Sequence, residues 1–332
     1  MIKLGVLDQT PIKTGFNAYD AIQETINLAV EAEKLGYARY WVAEHHGSKG
    51  LAGSVPEILI SKIATVTKKI RVGSGGVMLN HYSPLKVAET FSFLSTLYPD
   101  RIDLGLGRAP GGDQLISAAM SYGSKIGTEY YPTKITDLIA FFNGTEHANK
   151  ALAGISISPK SETLPQIWLL GSSLESAKIA ALLGLPFSYA HFIYPDGAKD
   201  TLNLYNEEFK PNDLMSRPVS NICVSVICAE KKEVADFHAK SRKLWKVQLS
   251  QGNLGPYPTP HEADAYNYSL NEERIIQKNN TGMFVGEPKI IKEELETLCT
   301  ECNVDEALIL TITHDKIARL KSYKLISEVF NL

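Results

Sequence analysis

Short apolar runs and segments of helical period alternate from one end of this chain to the other, and few folds accommodate that pattern. Residues 4–7, 37–43, 70–79, 101–106, 167–170, 187–192, 222–228 and 307–312 have strand length and strand composition. Between them apolar residues recur at helical spacing. Ile22, Ile26, Ala29, Ala32 and Leu35 mark one helix, and Gly36 follows as its stop. Ser54-Val55-Pro56-Glu57 predicts another, with Ser54 as the cap and Glu57 three positions on. Ser83-Pro84 opens a third. Others run through Ala177, Ala180 and Leu183, and over 198–209, 233–249 and 316–329.

Strands that alternate with helices in this way predict an α/β fold, a (β/α)₈ TIM-like barrel of closed parallel strands with insertion loops. An open doubly wound sheet is the alternative. It would be favoured by a glycine-rich dinucleotide turn after the first strand, and none follows residues 4–7. The 332 residues suit one barrel domain over 1–332, whose core needs no disulfide or metal to stabilise it. Segments 111–163 and 251–286 do not fit the repeat, and long segments of that kind are often lids or binding loops.

A net charge of −3 without any long Lys or Arg run argues against a nucleic-acid or anionic-membrane partner. No apolar run approaches spanning length, and the first residues read straight into a strand rather than a signal peptide. A cytoplasmic protein is expected, with Cys223, Cys228, Cys299 and Cys302 as reduced structural thiols. Cys223 and Cys228 stand five apart on a strand, so they face opposite sides. Cys299 and Cys302 form a CxxC with no second pair, which is weak evidence for zinc or redox work.

Barrel enzymes carry their chemistry at the carboxyl ends of the strands. The unusual residues here gather at such ends: Glu44-His45-His46, Gly73-Ser74-Gly75-Gly76, Gly105-Leu106-Gly107-Arg108, Gly171-Ser172-Ser173 and Ala190-His191-Phe192. Adjacent strand residues point to opposite faces, so His45 and His46 cannot easily share a metal, and no metal is expected. Gly75-Gly76 is either packing relief or a surface against which a planar ligand can lie. Arg108 is either an ion-pair partner or half of a phosphate clamp. Ser172 and Glu175 have capping-box spacing, yet a helix start facing the mouth is also an anion site. Together they describe a pocket for a phosphorylated planar cofactor.

Four stretches in order resemble the bacterial luciferase-like flavin-dependent monooxygenases: 37–46, 70–79, 101–108, and 170–177 running into Gly184-Leu185-Pro186. The resemblance implies a TIM-like barrel that uses reduced FMN (FMNH₂) and O₂ on a small-molecule substrate. It also implies a separate NAD(P)H:flavin reductase and a homodimer. It matches His45 to the histidine beside the flavin, and Gly75-Gly76 to a non-proline cis peptide against the ring. Arg108, Ser172, Ser173 and Ser176 match the residues around the phosphate. His191, where luciferase has tryptophan, is the alternative proton donor. Gly107 replaces a reactive cysteine and Ser172 an acidic residue, so light emission is not implied. The closer resemblance is to luciferase-like oxidoreductases with the Gly-Leu-Gly-Arg-Ala-Pro-Gly segment. A deazaflavin-dependent oxidoreductase or a non-catalytic flavin-binding protein on the same barrel are the alternatives. An aldolase would need a strand-end lysine for a Schiff base, and no interior strand end offers one.

Overall fold

The computed structural model describes residues 2–332 except 110, 125–126, 213–214, 254 and 281, with backbone alone at 278–280. The strands are β1 (Lys3–Asp8), β2 (Arg39–Val42), β3 (Arg71–Met78), β4 (Ile102–Gly107), β5 (Gln166–Gly171), β6 (Phe187–Ala190), β7 (Ser220–Cys228), β8 (Met283–Gly286) and β9 (Glu306–Leu310). All pair in parallel, in the order β6-β5-β4-β3-β2-β1-β9-β7, and β6 then pairs with β7. The sheet is therefore closed, as the alternating pattern predicts. Pro110, within the segment that follows β4, lies outside the described residues.

Side-chain alternation divides the core into two layers. Tyr40, Val42, Val72, Leu104 and Ile309 face outward onto the helices. Leu7, Trp41, Trp168, Cys223 and Leu308 fill the barrel interior. Cys223 and Cys228 fall in different layers, as their spacing requires. All four cysteines are free and buried. Burial pushes the Cys299 thiol up to about 12 and Cys302 to about 11, which keeps the CxxC protonated and unreactive.

A buried polar layer lies on the β2, β3 and β4 side of the barrel. Asp103 on β4 accepts from Arg39 (2.7 Å), Arg71 (2.7 Å) and the Trp41 indole (2.9 Å). Arg39 also donates to Glu306 at 2.6 Å and stacks 4.8 Å from the Trp168 ring. A second network surrounds the end of β1. There Asp8 accepts from Arg319 (2.8 Å), the Thr10 amide (2.8 Å) and the Tyr40 hydroxyl, and Arg319 also reaches Glu24 at 3.0 Å.

Several expectations change. β8 is a ninth strand for which no expectation was formed. It pairs with Ser225–Cys228 of β7, beyond β6 on the edge opposite β9. Only four residues long, Met283–Gly286 shows no readable period. The helix at Pro56–Val66 is capped by Val55 with no side-chain bond, so Ser54 is not its cap. Segment 111–163 contains helices Gln114–Ser121 and Tyr131–Asn143, and 251–286 contains Pro260–Ala265 and Leu270–Asn280. Gln114–Ser121 buries none of its residues fully. The CxxC ends a helix, Pro288–Glu301, that packs between β7 and the last helix, Lys316–Phe330.

Candidate active site

The carboxyl ends of β3, β4 and β5 enclose a cavity of about 410 Å³. Gly75, Gly76, Arg108, Ser172, Ser173 and Ser176 all line it, so the fold brings together the residues expected at the ring face and the phosphate. Leu7, Trp41, Cys223 and Leu308 supply an apolar wall from the barrel interior. Cavities of about 430 and 420 Å³ lie against the 111–163 segment, but the barrel strand ends do not form them. Position in the barrel, not volume, singles out the strand-end cavity.

The Gly75-Gly76 peptide is cis. A Cβ on Gly76 would stand 2.7 Å from the Gly105 carbonyl oxygen, so no larger residue fits where β3 presses on β4. One end of the cavity is polar. Ser173, not Ser172, caps helix Leu174–Leu182: its hydroxyl accepts from the Ser176 amide at 3.3 Å and lies 3.1 Å from the Ser176 hydroxyl. Glu175 pairs with Arg108 instead of closing a capping box with Ser172. Asn80 holds the Arg108 carbonyl at 2.9 Å. The Tyr131 hydroxyl, close enough to feel the Arg108 charge, is buried with no hydrogen-bond partner among the described residues. Tyr131 lies in a segment whose helix was not legible, so no sequence signal marked it.

The two histidines are placed differently from the cofactor set, and neither is among the residues that line the cavity. His45 follows β2, whose Trp41 lines the wall. Its amide donates to the Gly53 carbonyl at 2.7 Å, and its Nδ1 is buried without a partner. Burial, with His46 beside it, holds its pKa down to about 4, so the ring is neutral near pH 7 rather than half-titrated as a near-neutral proton donor would be. His46 turns to Glu44, at 2.7 Å. Glu44 is buried and also accepts from the Met78 amide (3.0 Å) and the Tyr82 hydroxyl (2.6 Å), tying the ends of β2 and β3 together. A carboxylate ending an apolar strand was the available signal for it.

His191 does not project into the mouth as expected. β6 ends at Ala190 and the chain turns, which breaks the strand alternation. The His191 ring is buried 6.0 Å from Phe284 on β8, while Phe192 and Ile193 take the cavity side. Burial holds His191 down to about 4 as well. Folded-state values below the free value near 6.5 mean the unfolded chain binds more protons between the two. The contribution is complete above about pH 6.5 and is lost as pH falls toward 4, at roughly 2–3 kcal/mol per imidazole. Urea unfolding at pH 7 and pH 4.5 is expected to show this loss, and a His45→Asn/His191→Asn double variant should lose less. Equal losses would show that these rings are not held neutral.

The sequence model of the luciferase-like monooxygenases matches residues 2–299. The chain belongs to this family. Among relatives, the chain is 43% identical to "Uncharacterized protein YwcH" of Bacillus subtilis over 99% of both chains. It is 37% identical to the N-acetyl-S-alkylcysteine monooxygenase of Bacillus subtilis, over 99% of this chain and 98% of that one. The crystal structure of apo-MsnO8 superposes with a TM-score of 0.88 at 36% identity, over 100% of this chain and 98% of that one. More distant family structures share the fold alone. One is a type II Baeyer–Villiger monooxygenase component in complex with FMN (TM-score 0.71, 18% identity). Another is an F420-dependent secondary alcohol dehydrogenase (TM-score 0.66, 15% identity). Each spans 99% of this chain and 98% of its own. Those two proteins carry FMN and F420 respectively. Among the described residues, no helix is long and apolar enough to cross a membrane, and no three His, Cys, Asp or Glu side chains group to hold a metal.

Proposed function

We propose that this family member is an FMN-dependent monooxygenase that transfers one oxygen atom from O₂ to a small organic substrate. The observation that carries the reading is the convergence of a glycine wall and a polar end on one cavity at the strand ends. A flat ring fits against Gly75-Gly76. A phosphate fits the other end, where Arg108 and the Ser173 cap meet an α-helix start whose first N–H groups lack intrahelical acceptors.

Reduced FMN would supply the two electrons and activate O₂: substrate, O₂ and FMNH₂ become oxygenated substrate, water and FMN. Arg108, Ser172, Ser173 and Ser176 would bind and orient the phosphate. Leu7, Trp41 and Leu308 would exclude water. His45, whose Nδ1 has no partner among the described residues, would hold or pass a proton near the ring; His191, the alternative donor, is turned onto Phe284 and away from the cavity. A separate NAD(P)H:flavin reductase would deliver the reduced cofactor, and a cytoplasmic homodimer is the proposed form. N-acetyl-S-alkylcysteines, from the name of the 37%-identical relative, are the first substrates to try.

Fluorescence titration with FMN tests the cofactor. Saturable binding is expected, and Arg108→Ala should weaken it by about 1.5–3 kcal/mol, the scale of a hydrogen bond to a charged group. Unchanged affinity, or preference for F420 over FMN, would overturn the assignment. Oxygen uptake with FMNH₂ then separates an enzyme from a flavin-binding protein.

A further inference from the structure

Helix Lys232–Ser250 carries an arginine that the fold leaves without a counterion. Arg242 is only 6% exposed, yet no carboxylate among the described residues pairs with it, and its Nε has no acceptor. The other deeply buried arginines are treated differently. Arg39 is paired with Asp103 and Glu306, and Arg319 with Asp8 and Glu24. A buried, unpaired charge is costly, so its retention needs a reason.

The surroundings supply one. The Ser241 hydroxyl and the His238 Nδ1 are also buried without partners among the described residues. Positions 238, 241, 242 and 245 share one face of the helix. The Arg242 guanidinium stands 5.3 Å over the Trp245 ring. Lys246, one turn further on, is held down to about 8 by burial and by the Arg242 charge. Trp245 and Tyr257 pack in the same apolar cluster as Leu7, Trp41, Cys223 and Leu308, four residues that line the strand-end cavity. Tyr257 is anchored there by its hydroxyl, which donates to the Ile312 carbonyl at 2.9 Å just past β9. Trp245 packs against Tyr257 with ring centroids 5.4 Å apart, so Arg242 adjoins the apolar cluster whose β7 and β9 members, Cys223 and Leu308, line the cavity. Arg108 and the Ser173 helix start belong to β4 and β5.

We propose that Arg242 binds a carboxylate on the organic substrate, whose apolar remainder extends past Trp245 into the cavity. This rests on the reading of that cavity as the active site. A guanidinium stacked on an aromatic face keeps its planar edge free, and that edge matches a carboxylate with two parallel hydrogen bonds. The neighbouring Ser241 and His238 groups would gain a polar partner from the same ligand. The substrates are then small apolar acids, and neutral analogues are discriminated against because they leave the buried cation unpaired.

The test uses FMN-loaded enzyme and a matched pair of probes, N-acetyl-S-benzylcysteine and its methyl ester. Binding is read from the change in the visible spectrum of bound FMN, and turnover from oxygen uptake with supplied FMNH₂. The acid is expected to bind at least 10-fold more tightly than the ester. Arg242→Met should weaken the acid about 10–100-fold, mainly in Kd and KM, and leave the ester and the FMN Kd unchanged. Arg242→Lys should retain part of the preference. The Met variant should also unfold at a higher temperature than wild type, because it removes an unpaired buried charge; a merely structural arginine would lower it. No acid preference, no detectable binding of the acid at millimolar concentration, or an unchanged preference in Arg242→Met overturns the proposal. Loss of FMN binding by the wild type would instead overturn the flavin reading itself.

Discussion

His45→Ala is expected to lower turnover by about 10²–10⁴-fold while FMN affinity stays within a few-fold of wild type, the range for a lost general acid or base. The geometry behind this is specific. Among the described residues the buried imidazole Nδ1 has no partner, and the residue lies three positions past the end of β2, whose Trp41 forms part of the cavity wall. Burial keeps the ring neutral down to about pH 4, so near pH 7 it can accept a proton and pass it on, but it is not a standing source of one. His46→Ala should act otherwise: its Nε2 is engaged with Glu44, so its loss should loosen the junction of β2 and β3. His191→Ala should cost stability and leave turnover within a few-fold, because its ring packs on Phe284 of β8. Single-turnover oxidation of bound FMNH₂ in the three variants separates them. Near-normal product yield from the His45 variant with loss in the His191 variant would reverse the assignment.

Arg319→Met is expected to destabilise the fold by about 3–5 kcal/mol, the cost of removing one partner from a buried ion pair. Arg319 is 1% exposed and Asp8 is fully buried, so the deletion strands a carboxylate at the end of β1 that water cannot reach. Arg319 also bonds the Thr311 carbonyl at 2.8 Å, just past β9. The pair therefore fastens the last helix to the seam where β1 meets β9 and the barrel closes. The Arg319 charge and the hydrogen bonds to Asp8 outweigh its desolvation and hold its carboxyl below the usual range. Adding Asp8→Asn to the Met variant should recover part of the loss, since the stranded charge is then gone. Urea unfolding of both variants measures this. A cost below about 1 kcal/mol for Arg319→Met would show that the pair contributes little to closing the barrel.

The barrel was legible because its strands are buried on both faces. β2, β4 and β9 have no exposed residue, so each reads as a short run that is apolar but for one charged residue, Arg39, Asp103 or Glu306. The set of residues lining the strand-end cavity was legible for a related reason. Glycines, serines and one arginine at the ends of β3, β4 and β5 cannot all be explained as core, and parallel strands deliver their ends to one rim. Helix Gln114–Ser121 and strand β8 were not legible, since the first buries no residue fully and the second is too short to show a period.

What the sequence by itself determined, then, is the alternation, the closed parallel sheet and the rim on which the chemistry gathers. These follow from local patterns of burial repeated along the chain. The tertiary structure alone decided the direction of each side chain beyond a strand end. His191 left the mouth because the chain turns after Ala190, and Ser173 rather than Ser172 became the cap, while Glu175 turned to Arg108. It also decided which charges are paired. Arg39, Arg242 and Arg319 are indistinguishable as letters, and partners such as Asp103, Glu306 and Asp8 are distant in the chain. Whether a buried cation meets a carboxylate depends on which distant segments pack together, and no local period encodes that.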